Sequence, residues 1–304
     1  MNEVVPAALD GERIDRLVAM LCGVSRTAAA GLIHDGAVQV DGEVVMGGKQ
    51  RVRAGQTLSV TAEAPTAPIV AQPDAGVDVP VVYVDESVIV VDKPAGLVVH
   101  PGAGHLTATM VNGLLARYPD IAGVGPDPER PGIVHRLDAG TSGLVVVART
   151  DAAYASLVRQ LAARTASREY LTLVCGVPEA PRGVVDAPIG RSARDPTRMA
   201  VAAGGRPART SYEVERAWAD RGVSLLRCRL ETGRTHQVRV HLAAIGHPVV
   251  GDARYGGDRP TLPAPRACLH AARLGFRHPA TGEPVAFESP LPADLEGVLA
   301  RLSA

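Results

Sequence analysis

The stretch HRLDAGTSGLVVV, residues 135–147, places a single carboxylate in a setting that suits chemistry. Asp138 follows Arg136 closely and precedes a run of turn-forming residues, after which an apolar run predicts a buried strand. A carboxylate beside a cation is favoured in its ionised form, and ionised carboxylates serve as nucleophiles. The alternative is turn chemistry, in which the Asp138 side chain accepts hydrogen bonds from neighbouring backbone N–H groups.

Other familiar catalytic patterns do not occur in the sequence. It contains no GxxxxGK[ST] phosphate loop and no GxSxG serine-hydrolase motif. The nine histidines are scattered, and two of them, His236 and His241, stand five apart in what reads as a strand. Because an odd spacing places them on opposite faces of a strand, packing or RNA contact is favoured over a metal site. We therefore predict no metal site.

Composition is that of an ordinary globular protein. Of 304 residues, 46% are hydrophobic and 21% charged, and the formal net charge is zero. Zero net charge does not exclude a nucleic-acid partner, because acidic residues elsewhere can offset a basic groove. The four cysteines form no CxxC pair, which favours neither zinc nor disulfides. Neither a signal peptide nor a transmembrane-length apolar run is found, so we expect a cytoplasmic protein without membrane contact.

The elements that must position Asp138 follow from the apolar patterns. Residues 1–62 predict two short helices, ERIDRLVAMLCG and RTAAAGLIHDG, the second capped by Ser25. A hairpin around Asp41–Gly42 and a last strand, TLSV, complete a small α/β domain. Residues 63–77, rich in Pro and Ala, predict a linker.

Residues 78–304 show many short apolar runs separated by Gly, Pro and charged turns. Helical patterns are fewer, and ATMVNGLLARY and DAAYASLVRQLAAR are the clearest of them. This distribution predicts an α+β domain with a large, mostly antiparallel sheet.

The first domain resembles the small RNA-binding domain of the S-four type, or αL motif. The segments RIDRLV, SRTAAAGLIHDGAVQVDG and RVRAGQTLSV carry the resemblance by their order and spacing. It implies RNA binding, with phosphate contacts from the basic residues Arg13, Arg16, Arg26 and Lys49. The alternative is that these basic residues are ordinary surface residues that keep a small domain soluble and do not contact RNA.

The second domain resembles pseudouridine synthases of the RluA type. Four motifs carry this resemblance: VVDKPAGLVVHPG, HRLDAGTSGLVVVA, REYLTLVCG and TGRTHQVRVHLAAIGHPVVGDARYGG. The resemblance covers nearly all of residues 80–290 and implies the pseudouridine synthase fold. Two departures occur: Arg168 stands where the family often has Lys, and Ala139–Gly140 replaces a more polar pair.

The resemblance implies that uracil is detached from its ribose, turned, and rejoined through carbon 5. It assigns Asp138 as the nucleophile, Arg239 in HQVRV as its cation, and Tyr170 as the active-site tyrosine that stacks on the flipped base. No cofactor is implied. Without the resemblance, Arg239 reads as an arginine on an exposed strand face and Tyr170 as a core residue.

Further residues carry implied supporting roles. Arg136 matches the arginine that holds the flipped state or its phosphate, and Arg234 and His236 support the site or the RNA backbone. Asp252 and Tyr255, in GDARYGG, read as parts of a turn.

The implied substrate is large-subunit ribosomal RNA, and we expect a monomer. A non-catalytic RNA-binding or ribosome-assembly protein on the same fold is one alternative. A hydrolase using a carboxylate nucleophile is another, but it would need a second acid or base near Asp138.

Overall fold

The computed structural model describes residues 2–24, 26–61, 70–102, 105–195 and 197–303, without the side chains of Ala8, Arg26 and Thr27. The chain divides into two compact units, Met1–Val70 and Ala71–Ala304. Each unit has a hydrophobic core of its own. The predicted N-cap Ser25 and residues 63–69 of the predicted linker lie outside the described residues.

The first unit packs two helices against a four-stranded antiparallel sheet of order β1-β4-β2-β3. Its elements are β1 (Asn2–Val4), α1 (Ile14–Cys22), α2 (Arg26–His34), β2 (Val38–Val40), β3 (Glu43–Val44) and β4 (Thr57–Val60). Asp41 and Gly42 both have positive φ, 53° and 86°, as a tight hairpin between β2 and β3 requires. The helices, the hairpin and β4 lie where the sequence predicts them, whereas β1 was not predicted.

The second unit is built on one nine-stranded sheet of order β5-β6-β7-β14-β8-β13-β12-β9, with β15 paired to β14. Its strands are β5 (Val81–Val84), β6 (Val88–Lys93), β7 (Ser142–Ala148), β8 (Ser167–Cys175), β9 (Arg182–Asp186), β12 (Arg209–Trp218), β13 (Val223–Leu230), β14 (Leu269–Arg277) and β15 (Pro284–Glu288). A separate hairpin joins β10 (Ile189–Arg191) to β11 (Met199–Val201). Within the described sheet, β7 and β14 run parallel and the other pairs are antiparallel. The predicted α+β class with a large, mostly antiparallel sheet is confirmed.

Four helices accompany this sheet: α3 (Met110–Arg117), α4 (Asp151–Ala162), α5 (Gln237–Ala244) and α6 (Ala293–Ser303). The first two lie in the segments predicted as helical. Thr150 caps α4 by accepting a hydrogen bond from the backbone N–H of Ala153. Helix α6, which packs Leu295, Val298 and Leu302 into the core, was not predicted.

The predicted strand around His236, Arg239 and His241 is wrong, because this segment forms helix α5. Alternating Val238 and Val240 suggest a strand, yet both are buried on different sides of the helix. The buried Gln237 amide decides the conformation: it donates to Arg209 O at 3.0 Å and to Thr210 Oγ1 at 2.9 Å. These bonds fasten the start of α5 to β12, and they are tertiary contacts that an apolar pattern does not encode.

The strand after Asp138 is confirmed as buried along its whole length. Gly143 in β7 has φ of 113°, and a Cβ there would lie 2.3 Å from Ala271 O of β14. Glycine is therefore required where the parallel pair closes. This close approach fixes the loop that carries Asp138 against the centre of the sheet.

Candidate active site

Asp138 lies in a tight turn just before β7, with its side chain 19% exposed. The turn is closed by its backbone, since Thr141 N–H donates to Asp138 O at 3.0 Å. The carboxylate instead accepts from Arg239 Nη1 at 3.0 Å, across 101 residues of sequence. Turn chemistry therefore does not explain the carboxylate, which is directed at a cation from another part of the fold.

Arg239 on α5 is held by two carboxylates. Its Nε and Nη2 donate to Asp252 at 2.7 and 2.9 Å, a bidentate pair, and this leaves Nη1 for Asp138. Burial lowers the pKa of Arg239, but Asp252 and Asp138 more than offset that effect, so the pKa lies above its ordinary value. The guanidinium is a permanent charge in one orientation beside the Asp138 carboxylate.

Two cations, Lys93 and Arg266, donate hydrogen bonds to the backbone of the loop that carries Asp138. Lys93, fully buried at the end of β6, donates to the carbonyls of Pro94, Leu97 and Ala139 at 2.9, 2.8 and 3.2 Å. Arg266 donates to Gly140 O at 3.0 Å and to Ser142 Oγ at 2.9 Å. The backbone on the C-terminal side of Asp138 is thus tied at consecutive positions, which holds the carboxylate in place.

His236 precedes α5 in the left-handed conformation, with φ of 58°. Its Nδ1 lies 2.7 Å from Tyr255 Oη, and its Nε2 lies 3.9 Å from Asp138 Oδ2. Burial lowers the pKa of His236, the charge of Asp138 opposes this, and Arg239 adds to the lowering. His236 is therefore a neutral imidazole at neutral pH, held by Tyr255 and directed toward the carboxylate.

Tyr170 on β8 is 6% exposed and lines the same cleft as Asp138. Burial raises the pKa of Tyr170 to about 12; the charge of Arg168 opposes the rise and that of Asp138 adds to it. The phenol is therefore protonated at neutral pH.

The cleft above these groups has a volume of about 830 Å³. The sequence-predicted residues Arg136, Asp138, Tyr170, Arg234, His236 and Arg239 all line it. Arg136 is exposed, and Arg234 donates from Nε to Pro207 O at 3.0 Å. Residues predicted from three separate sequence motifs thus meet at one cavity.

The cations predicted in the first unit differ in how they are engaged. Arg13 donates from Nε to Asp15 Oδ1 at 3.1 Å and from Nη2 to Oδ2 at 2.5 Å, and Arg16 pairs with Glu12 at 3.1 Å. Lys49 is exposed and makes no ion pair with the described residues. The Arg26 side chain lies outside the described part of the chain.

Some residues that build the site were not recognised from the sequence. Asp252 was expected only to tie a turn; it does accept from Arg254 N–H at 3.2 Å, but its main contact is the bidentate one with Arg239. Tyr255, also read as a turn residue, contacts His236. The sequence shows an acid in the glycine-rich segment GDARYGG, but neither its burial nor its contact with Arg239.

No group of three or more His, Cys, Asp or Glu side chains is placed to hold a metal ion among the residues that the structure describes. His241, the second member of the histidine pair, is buried against Thr210 Oγ1 and Ala187 O. None of the described helices has the length and apolar character needed to cross a membrane.

Comparison with known proteins defines the class of the chain. Residues 87–244 match the model of the RNA pseudouridylate synthase family, and residues 12–58 match the S4 domain. The chain is 42% identical to an uncharacterised RNA pseudouridine synthase, YlyB, of Bacillus subtilis, over 99% of both chains. It is 44% identical to the ribosomal large subunit pseudouridine synthase D of Pseudomonas aeruginosa, over 98% of this chain and 94% of the relative.

A solved structure supports the same class. Human RNA pseudouridylate synthase domain containing 1 superposes with a TM-score of 0.56 at 29% identity, covering 77% of this chain and 98% of the human one. The chain therefore belongs to the RNA pseudouridine synthase family and carries an amino-terminal S4 domain. It is an RNA-modifying isomerase of the RluA type.

Proposed function

We propose that this enzyme converts specific uridines of large-subunit ribosomal RNA to pseudouridine, with Asp138 as the nucleophile. The observation that carries the proposal is the Asp138 carboxylate held 3.0 Å from Arg239 in a cleft that Tyr170 also lines. The printed names of several relatives, ribosomal large subunit pseudouridine synthase D, support the choice of RNA. A monomer acting in the cytoplasm is part of the same proposal.

The reaction is an isomerisation, so no atom is gained or lost. The bond between ribose C1′ and uracil N1 breaks, a bond between C1′ and C5 forms, C5 loses a proton and N1 gains one. An ionised carboxylate is needed for attack on either the sugar or the base, and also for removal of a proton from the sugar. Arg239 donates a hydrogen bond to the Asp138 carboxylate, and Asp252 fixes the position of the Arg239 guanidinium.

Tyr170 receives the flipped uracil in this proposal. Stacking of a base on an aromatic ring contributes roughly 1–3 kcal/mol, comparable with the few kcal/mol needed to flip a base out of its stack. Because its pKa is raised to about 12, Tyr170 is a neutral phenol during turnover. Its hydroxyl therefore accepts the C5 proton only if it passes its own proton on at the same time.

The remaining cleft residues bind RNA. Arg136, which is exposed, holds the flipped state or its phosphate, while Arg234 and His236 contact the nucleotide that enters the cleft. In the S4 domain, Arg13, Arg16, Arg26 and Lys49 meet phosphates of the same RNA. The cleft is built without a metal or cofactor in this proposal.

The test uses an unmodified transcript of large-subunit ribosomal RNA. Pseudouridines formed by the wild type and by Asp138→Asn are mapped by carbodiimide labelling and primer extension. We expect defined stops with the wild type and a rate at least about 1,000-fold lower with the variant, since loss of a nucleophile removes the chemical step. Asp186→Asn, which neutralises an exposed carboxylate paired with Arg209, serves as the matched control and should retain full activity.

Two outcomes would overturn parts of the proposal. Equal stops from the wild type and Asp138→Asn would remove Asp138 as the nucleophile. No stops from a folded wild type would direct the search to another RNA.

Tyr170→Phe separates the role of the aromatic ring from that of its hydroxyl. Stacking alone predicts near-normal turnover, whereas a role for the hydroxyl in proton transfer predicts a loss of about 100-fold or more.

A further inference from the structure

The charges around the cleft are strongly unbalanced. Among the described residues, two carboxylates line it, those of Asp138 and Glu231, against seven arginines: Arg130, Arg136, Arg164, Arg168, Arg206, Arg234 and Arg239. The whole chain has a formal net charge of zero, so positive charge is concentrated here and balanced elsewhere. A cleft of one sign attracts a polyanion.

Four of these arginines form a group that we call the arginine end: Arg164, Arg168, Arg206 and Arg234. Their mutual repulsion is visible at Arg234, whose pKa is lowered first by burial and then by the charges of the other three. Like charges brought together without a counterion destabilise a fold. Because the fold holds these four cations close together, we expect an anion from outside the chain to bind among them.

The available acid does not neutralise this group. Glu231 lies 3.3 Å from Arg164, but it also binds Arg209 Nε at 2.8 Å, so its charge is shared with an arginine outside the group. Arg206 is exposed and makes no ion pair with the described residues. Among the described residues, the Arg234 side chain donates only to a backbone carbonyl, that of Pro207.

Arg168 supplies an independent observation. Its side chain is buried and it lines the cleft, yet it forms no ion pair with the described residues. Its Nε is buried without a hydrogen-bond partner, and its Nη2 reaches only Glu231 O, at 3.5 Å. Gly233 leaves space for the guanidinium, since a Cβ there would lie 2.8 Å from Nη1. Buried charges are normally paired, so this guanidinium lacks the anion that would complete its site.

We propose that the arginine end binds a backbone phosphate of the RNA strand whose uridine enters the cleft, an inference that rests on the proposed function. Guanidinium groups match phosphate oxygens with two parallel hydrogen bonds, and a phosphate carries no sequence information. The site therefore fixes the register of the strand relative to Asp138. It shares Arg234 with the residues proposed to contact the entering nucleotide, but it does not include His236 or Tyr170.

The test measures binding rather than turnover. A fluorescein-labelled 12-nucleotide oligouridylate is titrated with full-length protein at salt from about 50 to about 200 mM, and log K is plotted against log salt. The test variant is Arg164→Gln/Arg206→Gln, which changes two exposed side chains. The matched control is Arg182→Gln/Arg273→Gln, which removes two exposed, singly paired arginines that do not line the cleft. Thermal unfolding checks that both proteins fold.

We expect the test variant to bind about tenfold more weakly, with a salt slope shallower by about 0.7, the value for one single-strand phosphate contact. The control should remain within about twofold of the wild type. Unchanged affinity and slope in the test variant, or an equal loss in the control, would overturn the proposal.

A neutral phosphate analogue makes the assignment specific. Single methylphosphonate linkages are placed in turn along the oligouridylate. At one position the wild type should lose more affinity than Arg164→Gln/Arg206→Gln, because the variant has already lost part of the same phosphate contact. Additive losses at every position would contradict the proposal. If the wild type forms no pseudouridine in the ribosomal transcript but passes this test, the phosphate site stands and the proposed substrate fails.

Discussion

The two ends of the cleft differ in whether their charged side chains form ion pairs within the protein. At Asp138 the carboxylate has a charged partner, because Arg239 bridges Asp138 and the nearly inaccessible Asp252. At the arginine end, Arg168 and Arg206 have no carboxylate partner among the described residues. Paired charges hold each other in one geometry, which suits groups that act on a reacting bond. Unpaired charges remain available to a ligand, and the cleft thus combines a fixed end with an end that attracts RNA.

The largest effect is expected from a substitution that breaks the ion pairs of Arg239. Arg239→Lys keeps the charge, but a single ammonium cannot donate in parallel to Asp252 while also holding Asp138. We expect the rate of pseudouridine formation to fall by about 100-fold or more, and the free energy of unfolding by about 1–3 kcal/mol, since buried Asp252 loses a hydrogen bond. Single-turnover kinetics and chemical denaturation measure the two quantities.

A matched control exists outside the cleft. Arg227 also bridges two carboxylates, Glu215 at 2.6 Å and Glu169 at 3.4 Å. Arg227→Lys should lose stability but keep its rate within about twofold. Equal activity of Arg239→Lys and the wild type would show that the bridging geometry is not needed at the paired end.

A second, intermediate effect concerns Lys93, the buried cation beneath the Asp138 loop. Burial lowers the pKa of Lys93 from 10.5 to about 8; the charge of Arg266 adds to this and that of Asp138 opposes it. Between these two pH values the unfolded chain binds more protons than the folded one, so stability contributed by Lys93 rises with pH. The gain is roughly 3 kcal/mol over the whole window, complete above about pH 10.5 and absent below about pH 8.

Chemical denaturation of the wild type and Lys93→Met at a series of pH values isolates this effect, because all other groups titrate in both proteins. The stability of the wild type relative to the variant should increase from pH 8 upward. A difference that stays constant with pH would mean that the Lys93 ammonium is not destabilised by its burial.

The smallest effect extends the contrast between paired and unpaired cations to the S4 domain. Lys49 is exposed and forms no ion pair with the described residues, whereas Arg16 forms an ion pair with Glu12. Lys49→Gln should weaken binding of a large-subunit transcript by about threefold and reduce the salt slope by about 0.7–0.9, the range for one phosphate contact. Arg16→Gln should reduce the slope by less, because a phosphate contact of Arg16 competes with its pair with Glu12. An equal change in both variants would mean that pairing in the protein does not predict contact with RNA.

Local signals made much of the first unit predictable from sequence. Gly36 ends a helix, and Asp41–Gly42 has the backbone freedom that a hairpin turn needs. Strand β1 was missed because its exposed residues have no apolar pattern and depend on a distant partner, β4. Helix α5 was mispredicted because alternating valines resemble a strand, while the bonds of Gln237 that settle the matter come from other segments.

The site shows the same division. The motif resemblance placed Asp138, Tyr170 and Arg239 in one cleft, and the structure brings them there. The support from Lys93 and Asp252, and the missing partner of Arg168, could not be read from sequence. Both depend on burial and on which side chains meet across the fold, and neither leaves a periodic pattern.

The parallel pairing of β7 with β14 sets the order in which the site is completed. Ser142, four residues after Asp138, lies beside His270 of β14, 128 residues later in the chain. During synthesis Asp138 leaves the ribosome long before the strand and the Arg266 side chain that support its loop. Distant pairings form late in folding. We therefore expect the nascent protein to be inactive until it is nearly complete, which separates its own synthesis from the modification of ribosomal RNA.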